Sequence, residues 1–240
     1  MLEVKKTTKT AQASESWPTS LYARPRLPVT PMVDSEPIVP DAILEGCRLA
    51  VQQLGADGIT SLGVTSSMRG EGRTTISLAI ALVLAEYGLE TVLLEMDVAH
   101  PQLGHRLAVA KYPGLIDLAE GRSALQDVMR PVCPGLNLIP AGQFQGSVPR
   151  ALSQVARADI LSDIAAAGHV VVADLPPLLG DSTGHQAANL MADVVLVVRA
   201  GVVSAAGINE AVSGLAVTPK VIVNGTHSRV PDWALRLSGI

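Results

Sequence analysis

The sequence predicts an α/β protein with a doubly wound, mostly parallel β-sheet that carries helices on both faces. First, β-like and helical patterns alternate along residues 41–225, as they do in such folds. Second, the runs 170–174 and 194–198 are continuously apolar, as expected for strands buried on both faces of a parallel sheet. Third, 48% of the residues are hydrophobic but only 2% are aromatic, so aliphatic side chains must fill the core.

The individual elements follow in chain order. Leu44, Cys47 and Val51 form a helical stripe after Asp41, and this stripe stops at Gly55, where a helix C-terminal glycine belongs. This stripe predicts a helix at 41–54. Similar patterns predict helices at 73–87, 115–129, 149–166, 184–191 and 204–216. The apolar runs between them predict strands at 59–65, 91–96, 136–139, 170–174, 193–198 and 220–224.

Residues 1–40 are predicted to form a disordered, proline-rich N-terminal tail. Prolines recur there among Lys, Thr and Ser, and no apolar period is present, so an extended linker is expected. A short docking motif around Trp17 and Tyr22 is the alternative. The folded domain is predicted to span residues 41–240.

Residues 59–75 are typical of a phosphate-binding loop. An apolar run leads into the small-residue loop 66–72, and a long apolar helix begins near Arg73. Such a loop offers successive backbone N–H groups to an anion, and the helix N-terminus adds partial positive charge. Gly70 and Gly72 allow the backbone to turn tightly beside a phosphate. We therefore expect ATP or ADP to contact Ser67, Gly70, Glu71, Gly72, Arg73, Thr74 and Thr75.

Two positions depart from the strict phosphate-loop pattern, in which a glycine precedes the lysine by six residues. Ser67 stands at the glycine position, and Arg73 stands at the lysine position. Arginine keeps the positive charge, but its planar fork does not replace a compact ammonium group at a closely held phosphate. The loop therefore indicates nucleotide binding more strongly than catalysis, and Arg73 is the candidate catalytic cation.

Acidic residues follow two of the predicted strands. Glu95 and Asp97 end one strand and Asp174 ends another, at the edge where parallel sheets bind their ligands. A Mg²⁺ ion on nucleotide phosphates takes a hydroxyl and a strand-end Asp, so Thr74, Asp174 and Asp97 are candidate metal ligands. Asp97 is also the candidate to orient or deprotonate an attacking water or hydroxyl. The alternative for all three acids is that they cap the helices that follow.

Charge and hydropathy exclude some classes of function. The net charge of −4 argues against non-specific nucleic-acid binding, so no nucleic-acid partner is expected. Residues 1–20 lack the apolar core of a secretory signal, and the apolar runs are too short to span a bilayer. His100 and His105 have no metal-ligand spacing and are assigned surface or loop roles. We expect a cytoplasmic protein that reaches the membrane through a partner.

Three stretches of the chain share the order and spacing of one family's motifs. They are SSMRGEGRTT at 66–75, LLEMDVAHP at 93–101 and VVADLPP at 171–177. These resemble S-S-x-P-G-E-G-K-S-T, L-I-D-A-D-L-R-R-P and I-I-D-T-P-P of the bacterial tyrosine kinases of capsule and exopolysaccharide synthesis, which are deviant phosphate-loop ATPases. The resemblance implies a P-loop NTPase-like fold and a base-holding role for Asn224.

The departures from that family are equally specific. Arg69 replaces the family's proline, and Glu95 replaces the first aspartate of the second motif. The family's ring-forming E-x-x-R-x-x-R helix is represented by Glu45 and Arg48, with Val51 in place of the last arginine. The three tyrosines all lie in the first half of the chain, so the family's C-terminal tyrosine cluster is absent.

The resemblance implies an ATP-binding, kinase-like regulator of exopolysaccharide or capsule polymerisation and export, with weak or no catalysis. Its expected partners are a membrane chain-length or co-polymerase protein at the inner face of the cell membrane and further copies of itself. An active ATPase or tyrosine autokinase of the same pathway is one alternative, so enzymatic activity stays open. A partitioning or division-site ATPase is another, although Met68 stands where those proteins carry a second lysine.

Overall fold

The computed structural model describes residues 32–225 with the exception of 34–35, 56–57, 145 and 181. The strands are β1 (Met32–Val33), β2 (Glu36–Pro37), β3 (Ser61–Ser66), β4 (Thr91–Glu95), β5 (Arg130–Cys133), β6 (Leu136–Ile139), β7 (Val170–Asp174), β8 (Asp193–Arg199) and β9 (Lys220–Asn224). The helices are α1 (Asp41–Leu54), α2 (Arg73–Glu86), α3 (Leu103–Arg106), α4 (Leu115–Ala119), α5 (Leu125–Val128), α6 (Val148–Arg157), α7 (Ile160–Ala166), α8 (Thr183–Ala188) and α9 (Ala205–Val212).

A seven-stranded sheet with the order β5-β6-β4-β7-β3-β8-β9 forms the centre of the molecule. All neighbouring strands are parallel except β5 and β6. In this register Glu95 pairs with Asp174, and Val64 pairs with the same aspartate from the other side. The carboxyl ends of β3, β4 and β7 therefore meet at one edge, which positions the phosphate loop beside the acidic residues.

Helices cover both faces of this sheet because the strands are apolar on both sides. On one face α1 and α2 pack over a cluster that includes Leu62 and Leu93. On the other face α4 and α6 to α9 pack over a cluster that includes Val92 and Leu94. Neighbouring residues of β4 thus belong to different cores, which confirms the predicted doubly wound, mostly parallel fold.

Some element boundaries differ from the sequence expectation for backbone reasons. The predicted helix 115–129 is split into α4 and α5 around Gly121, which has a φ of 70°. The predicted helix 149–166 is split into α6 and α7 at Asp159, which has a φ of 52°. Strands β1, β2 and β5 and helix α3 were not predicted. β5 contains Pro131 and occupies the antiparallel edge of the sheet, where a strand proline is tolerated.

Ordered packing begins just before the predicted domain boundary. β1 and β2 form a small antiparallel pair, and Val39 is fully buried in the same core as α1 and α2. Residues 1–31, with the docking motif around Trp17 and Tyr22, lie outside the described residues, so the tail stays a prediction. Among the described helices, none is both long enough and apolar enough to cross a membrane.

Candidate nucleotide-binding site

The predicted phosphate loop connects β3 to α2 at the carboxyl edge of the sheet. Gly70 and Gly72 have φ angles of 86° and 97°, which L side chains rarely adopt. A Cβ atom at Gly72 would collide with Asn224 Nδ2. The amides of both glycines find no acceptor among the described residues, and the 14-residue helix α2 begins directly after them. A nucleotide phosphate therefore fits this loop.

Hydrogen bonds of Glu71 and Asn224 stabilise the loop. The buried Glu71 carboxylate accepts hydrogen bonds from the Met68 amide at 2.6 Å and the Arg199 amide at 3.1 Å. Asn224 Nδ2 donates to the Glu71 carbonyl oxygen at 2.9 Å. These bonds tie the loop to the ends of β8 and β9. Both residues thus shape the loop, while their contacts with a nucleotide stay predictions.

Three hydroxyl side chains of the predicted set surround the same loop. Ser67 Oγ is buried and has no hydrogen-bond partner among the described residues. The Thr74 hydroxyl lies on the first turn of α2 and forms a hydrogen bond with Asp174. Thr75 Oγ1 accepts a hydrogen bond from Arg106 Nη1 at 3.1 Å. Ser67 is therefore the hydroxyl most open to a new partner.

Arg73 lies between two of the predicted acidic residues. Its side chain is only 7% exposed. Nη2 donates a short hydrogen bond to Asp97 Oδ2, and Nε lies 3.7 Å from Asp174 Oδ1. That Nε and that Oδ1 are both buried without a hydrogen-bond partner among the described residues. The guanidinium thus pairs with both acids, while its Nε donor and the Asp174 Oδ1 acceptor make no hydrogen bond among the described residues.

Burial sets the charge state of Asp174. Burial raises the pKa of this carboxyl to about 7, although the Arg73 guanidinium and the hydrogen bond from Thr74 lower it. The neighbouring carboxylates Glu95 and Asp97 contribute to the same rise in pKa. A strongly shifted pKa in a cleft is common at functional sites, which supports Asp174 as a site residue.

Arg69 and His100 join the site without having been assigned to it. Arg69 Nη1 donates to Asp97 Oδ2 at 3.3 Å, and Arg69 Nη2 lies 2.8 Å from His100 Nδ1. Asp97 thus pairs with two arginines that come from one loop. The departure at Arg69 from the family's proline was the available signal, since a new charge beside a phosphate-binding loop alters the site's electrostatics.

Glu95 has a structural task at the same edge. Its buried carboxylate accepts hydrogen bonds from the Leu103 amide at 2.5 Å, the Gly104 amide at 3.2 Å and the Ala141 amide at 3.1 Å. Leu103 and Gly104 open α3, so the helix-capping alternative describes this residue. Glu95 holds α3 and the segment after β6 onto the end of β4.

The predicted metal ligands Thr74, Asp97 and Asp174 do come together, but they are already engaged with other side chains. Asp97 pairs with two arginines, and Asp174 pairs with Arg73 and Thr74. Within the described part of the chain, no group of three or more His, Cys, Asp or Glu side chains could hold a metal ion. The oxygen ligands suit Mg²⁺ chemically, yet a guanidinium occupies the cation position between them.

No family model matches the chain. It is 31% identical over 161 residues to the putative tyrosine-protein kinase EpsB of Ralstonia nicotianae, a match that covers 66% of this chain and 20% of EpsB. It is 30% identical over 146 residues to the tyrosine-protein kinase CpsD of Streptococcus agalactiae, covering 58% of this chain and 61% of CpsD. The chain therefore spans about one fifth of the length of EpsB.

Proteins that are not named as tyrosine kinases are also similar to this chain. The antiactivator FleN of Pseudomonas aeruginosa is 30% identical over 136 residues, covering 55% of this chain and 48% of FleN. Cobyrinic acid a,c-diamide synthase from Mycobacterium smegmatis, solved with a bound ATP analog and magnesium, is 20% identical with a TM-score of 0.57, covering 75% of this chain and 81% of that one. At that identity only the fold is shared.

Among solved structures, the kinase domain of VpsO is 27% identical with a TM-score of 0.70, and the match covers 78% of this chain and 97% of that domain. The Escherichia coli tyrosine kinase ETK domain has the same fold, with a TM-score of 0.71 at 20% identity, covering 78% of this chain and 77% of that one. The ordered motifs and these relatives agree, so the chain is a homologue of the bacterial tyrosine-protein kinases with a substituted phosphate loop.

Proposed function

We propose that this protein binds ATP or ADP and regulates the polymerisation and export of an exopolysaccharide or capsule, with weak or no catalysis of its own. The observation that supports nucleotide binding best is the loop between β3 and α2. Gly70 and Gly72 hold it in an open turn, and their amides lack acceptors among the described residues. A phosphate would supply those acceptors.

The position of Arg73 supports slow turnover. Phosphoryl transfer depends on cations placed where charge develops in the transition state. The Arg73 guanidinium is instead paired with Asp97 and lies 3.7 Å from Asp174. A cation held by two carboxylates stabilises a transferring phosphoryl group poorly, so the substitution should reduce rate more than binding.

Turnover of the full chain with ATP tests this part of the proposal. We expect binding of ATP and ADP in calorimetry but very slow phosphate release. Arg73→Lys should raise phosphate release by about tenfold, which corresponds to ~1.4 kcal/mol of barrier. Arg106→Lys, an exposed arginine that contacts Thr75 but neither acid, is the matched control and should change little. Robust wild-type turnover that Arg73→Lys leaves unchanged would contradict slow catalysis.

Within residues 1–240, the candidate sites of autophosphorylation are Tyr22, Tyr87 and Tyr112. Tyr112 is 40% exposed, and its ring stacks against Lys111 and Arg130 at 5.5 Å and 4.6 Å from the ring centre. These cation–π contacts restrain the ring. Phosphopeptide mapping after incubation with ATP should find no strong labelling at Tyr87 or Tyr112, and strong labelling at either would contradict a regulator without kinase activity.

A membrane co-polymerase is the proposed partner, because the motifs resemble those of capsule and exopolysaccharide kinases. Cell fractionation with and without the co-polymerase gene should show the protein at the membrane only when that partner is present. A partitioning-type or division-site ATPase, the alternative that the sequence leaves open, is the second candidate. A protein that stays outside the membrane fraction in both strains, with unchanged polysaccharide output on deletion, would favour that second candidate.

A further inference from the structure

We infer that the Arg73 guanidinium takes the place of a divalent metal ion at this site. The chain then binds nucleotide without such an ion. The inference depends on the proposed nucleotide site and departs from the Mg²⁺ requirement that the phosphate-loop pattern predicts. Three features of the described residues carry it: the position of the guanidinium, the partners of the three predicted metal ligands, and the second arginine on the loop.

The guanidinium lies where a metal ion would bridge the two acids. Arg73 hydrogen-bonds Asp97 and lies 3.7 Å from Asp174, with its side chain 7% exposed. An Arg guanidinium is always protonated, so this position is permanently positive. A lysine at the same place could swing its flexible, compact head away. The planar fork instead pairs with both acids from a fixed position.

Each predicted metal ligand is already bound by another protein group. Thr74 hydrogen-bonds Asp174, Asp174 pairs with Arg73, and Asp97 pairs with Arg73 and Arg69. Magnesium requires near-ideal octahedral geometry and loses its waters reluctantly. It would have to displace both ion pairs and would then lie beside a buried positive charge. Like charges this close in a buried site repel strongly.

The two arginines also supply what a nucleotide phosphate needs. Arg73 Nη1 donates to no described residue, so the fork keeps a free donor while Nη2 holds Asp97 and Nε lies toward Asp174. Arg69 adds a second fork on the same loop, with its side chain 46% exposed. Guanidinium forks match phosphate geometry. The buried Arg73 fork and the half-exposed Arg69 fork thus lie beside the phosphate loop and offer guanidinium donors to a phosphate.

The decisive measurement is binding of ADP and ATP to the full chain by calorimetry, once with MgCl₂ and once with EDTA. We expect wild-type dissociation constants in the two buffers to agree within about threefold, less than the tenfold step that 1.4 kcal/mol represents. A rise of about tenfold or more in EDTA would overturn the inference while leaving the proposed nucleotide site in place. Absence of binding in both buffers would overturn the proposed nucleotide site instead.

A second measurement needs no nucleotide. Electron paramagnetic resonance of added Mn²⁺ reports a bound divalent ion directly. We expect no bound Mn²⁺ in the wild type and Mn²⁺ binding in Arg73→Ala, because that change frees Asp174 and leaves Asp97 paired with the half-exposed Arg69. Arg106→Ala is the control that removes a nearby arginine without touching the acids, and it should behave like the wild type. Mn²⁺ bound by wild-type protein would overturn the inference even if no nucleotide binds.

If Arg73→Ala fails to fold, Arg73→Lys retains the charge and serves the same experiment. Its shorter, mobile ammonium should hold the two acids less firmly. We then expect weak Mn²⁺ binding to Arg73→Lys and none to the wild type. Mn²⁺ binding equal in Arg73→Lys and wild type, and strong in both, would again overturn the inference.

Discussion

Glu95 and Asp97 lie two residues apart at the end of β4, yet their carboxylates have opposite kinds of partner. Glu95 accepts hydrogen bonds from three backbone amides, at Leu103, Gly104 and Ala141. Among the described residues, the Asp97 carboxylate pairs with side chains, those of Arg69, Arg73 and the more distant His100. The first carboxylate holds backbone amides, whereas the second pairs with charged side chains.

The same contrast separates Asp117 from Asp174. Asp117 accepts from the Gly114 amide at 2.9 Å and from Arg122 Nη2 at 2.8 Å, so both of its oxygens have partners. Asp174 leaves Oδ1 without a hydrogen bond among the described residues. Buried polar atoms are nearly always paired. Asp117, with partners on both oxygens, therefore has a structural role, whereas the unpaired Oδ1 of Asp174 marks the candidate site.

The largest expected loss of stability comes from removing the Glu95 carboxylate. Glu95→Ala would leave three buried amides without acceptors, so we expect a loss of about 4 kcal/mol in the free energy of unfolding, since each unsatisfied group costs 1–3 kcal/mol. Asp97→Ala should cost only about 1–2 kcal/mol, because Arg73 keeps Asp174 and the exposed Arg69 turns to water. Urea denaturation measures both. Equal losses, or a smaller loss for Glu95→Ala, would contradict the division of roles.

Glu95→Gln is the conservative control for that comparison. It keeps one side-chain oxygen as an acceptor, so part of the amide set stays satisfied and the loss should lie between those of wild type and Glu95→Ala. A Glu95→Gln protein as unstable as Glu95→Ala would show that the charge matters more than the hydrogen bonds.

The next largest effect concerns the loop itself. Gly72→Ala would place a side chain at a φ of 97° and against Asn224 Nδ2. Such backbone strain costs about 1–3 kcal/mol, and the clash would also break the Asn224 bond to Glu71. We expect a stability loss of about 3 kcal/mol together with loss of nucleotide binding. Gly70→Ala, where a Cβ meets no atom within 4 Å, carries the strain alone and should bind nucleotide better than Gly72→Ala.

A smaller, pH-dependent effect tests Asp117. Burial would raise the pKa of its carboxyl, but the amides of Gly114 and Gln143 and the Arg122 guanidinium together lower it. A lowered pKa in the folded state means that ionised Asp117 stabilises the fold above its ordinary pKa, and that this contribution disappears as the pH falls. Relative to Asp117→Asn, we expect the wild type to be about 2 kcal/mol more stable near pH 6.

That advantage should shrink as the pH falls toward about 3, which urea denaturation across the range would show. Arg122→Ala is the control that removes one partner while leaving the amides, and its effect should be smaller because Arg122 is half exposed. A stability difference between wild type and Asp117→Asn that grows as the pH falls would have the wrong sign. It would exclude the Gly114 and Gln143 amides and Arg122 as the source of the difference.

Part of this arrangement could be predicted from the sequence, because it follows from local pattern and from the parallel sheet. The loop ending at Arg73 and the acids at the ends of β4 and β7 were found in this way. The partition between Glu95 and Asp97 could not be predicted, since it depends on the Ala141 amide, 46 residues farther along the chain. The division of the predicted helix 149–166 at Asp159 could not be predicted either, because nothing in the local sequence requires a positive φ there.

The smallest predicted effect distinguishes a paired arginine from an available one. Arg48 on α1 donates to Glu86 on α2 at 3.1 Å and to Glu45 at 2.7 Å, although the family motif implies a subunit contact for this position. An ion pair that is partly exposed contributes about 1 kcal/mol or less. Arg48→Ala and Glu86→Ala should each lower stability by that amount, and the double variant should show coupling of about 0.5 kcal/mol or more.

Sedimentation of the same variants separates the two roles of Arg48. If Arg48 serves only to form the ion pair with Glu86 between α1 and α2, both single variants should keep the wild-type mass in solution. Each variant removes that same internal pair. If it contacts a second copy of the chain, Arg48→Ala should lower the mass while Glu86→Ala should not. Because Arg48 is 23% exposed and its donors already have two carboxylate partners, we expect unchanged mass in both. A mass change confined to Arg48→Ala would instead make this helix a subunit contact.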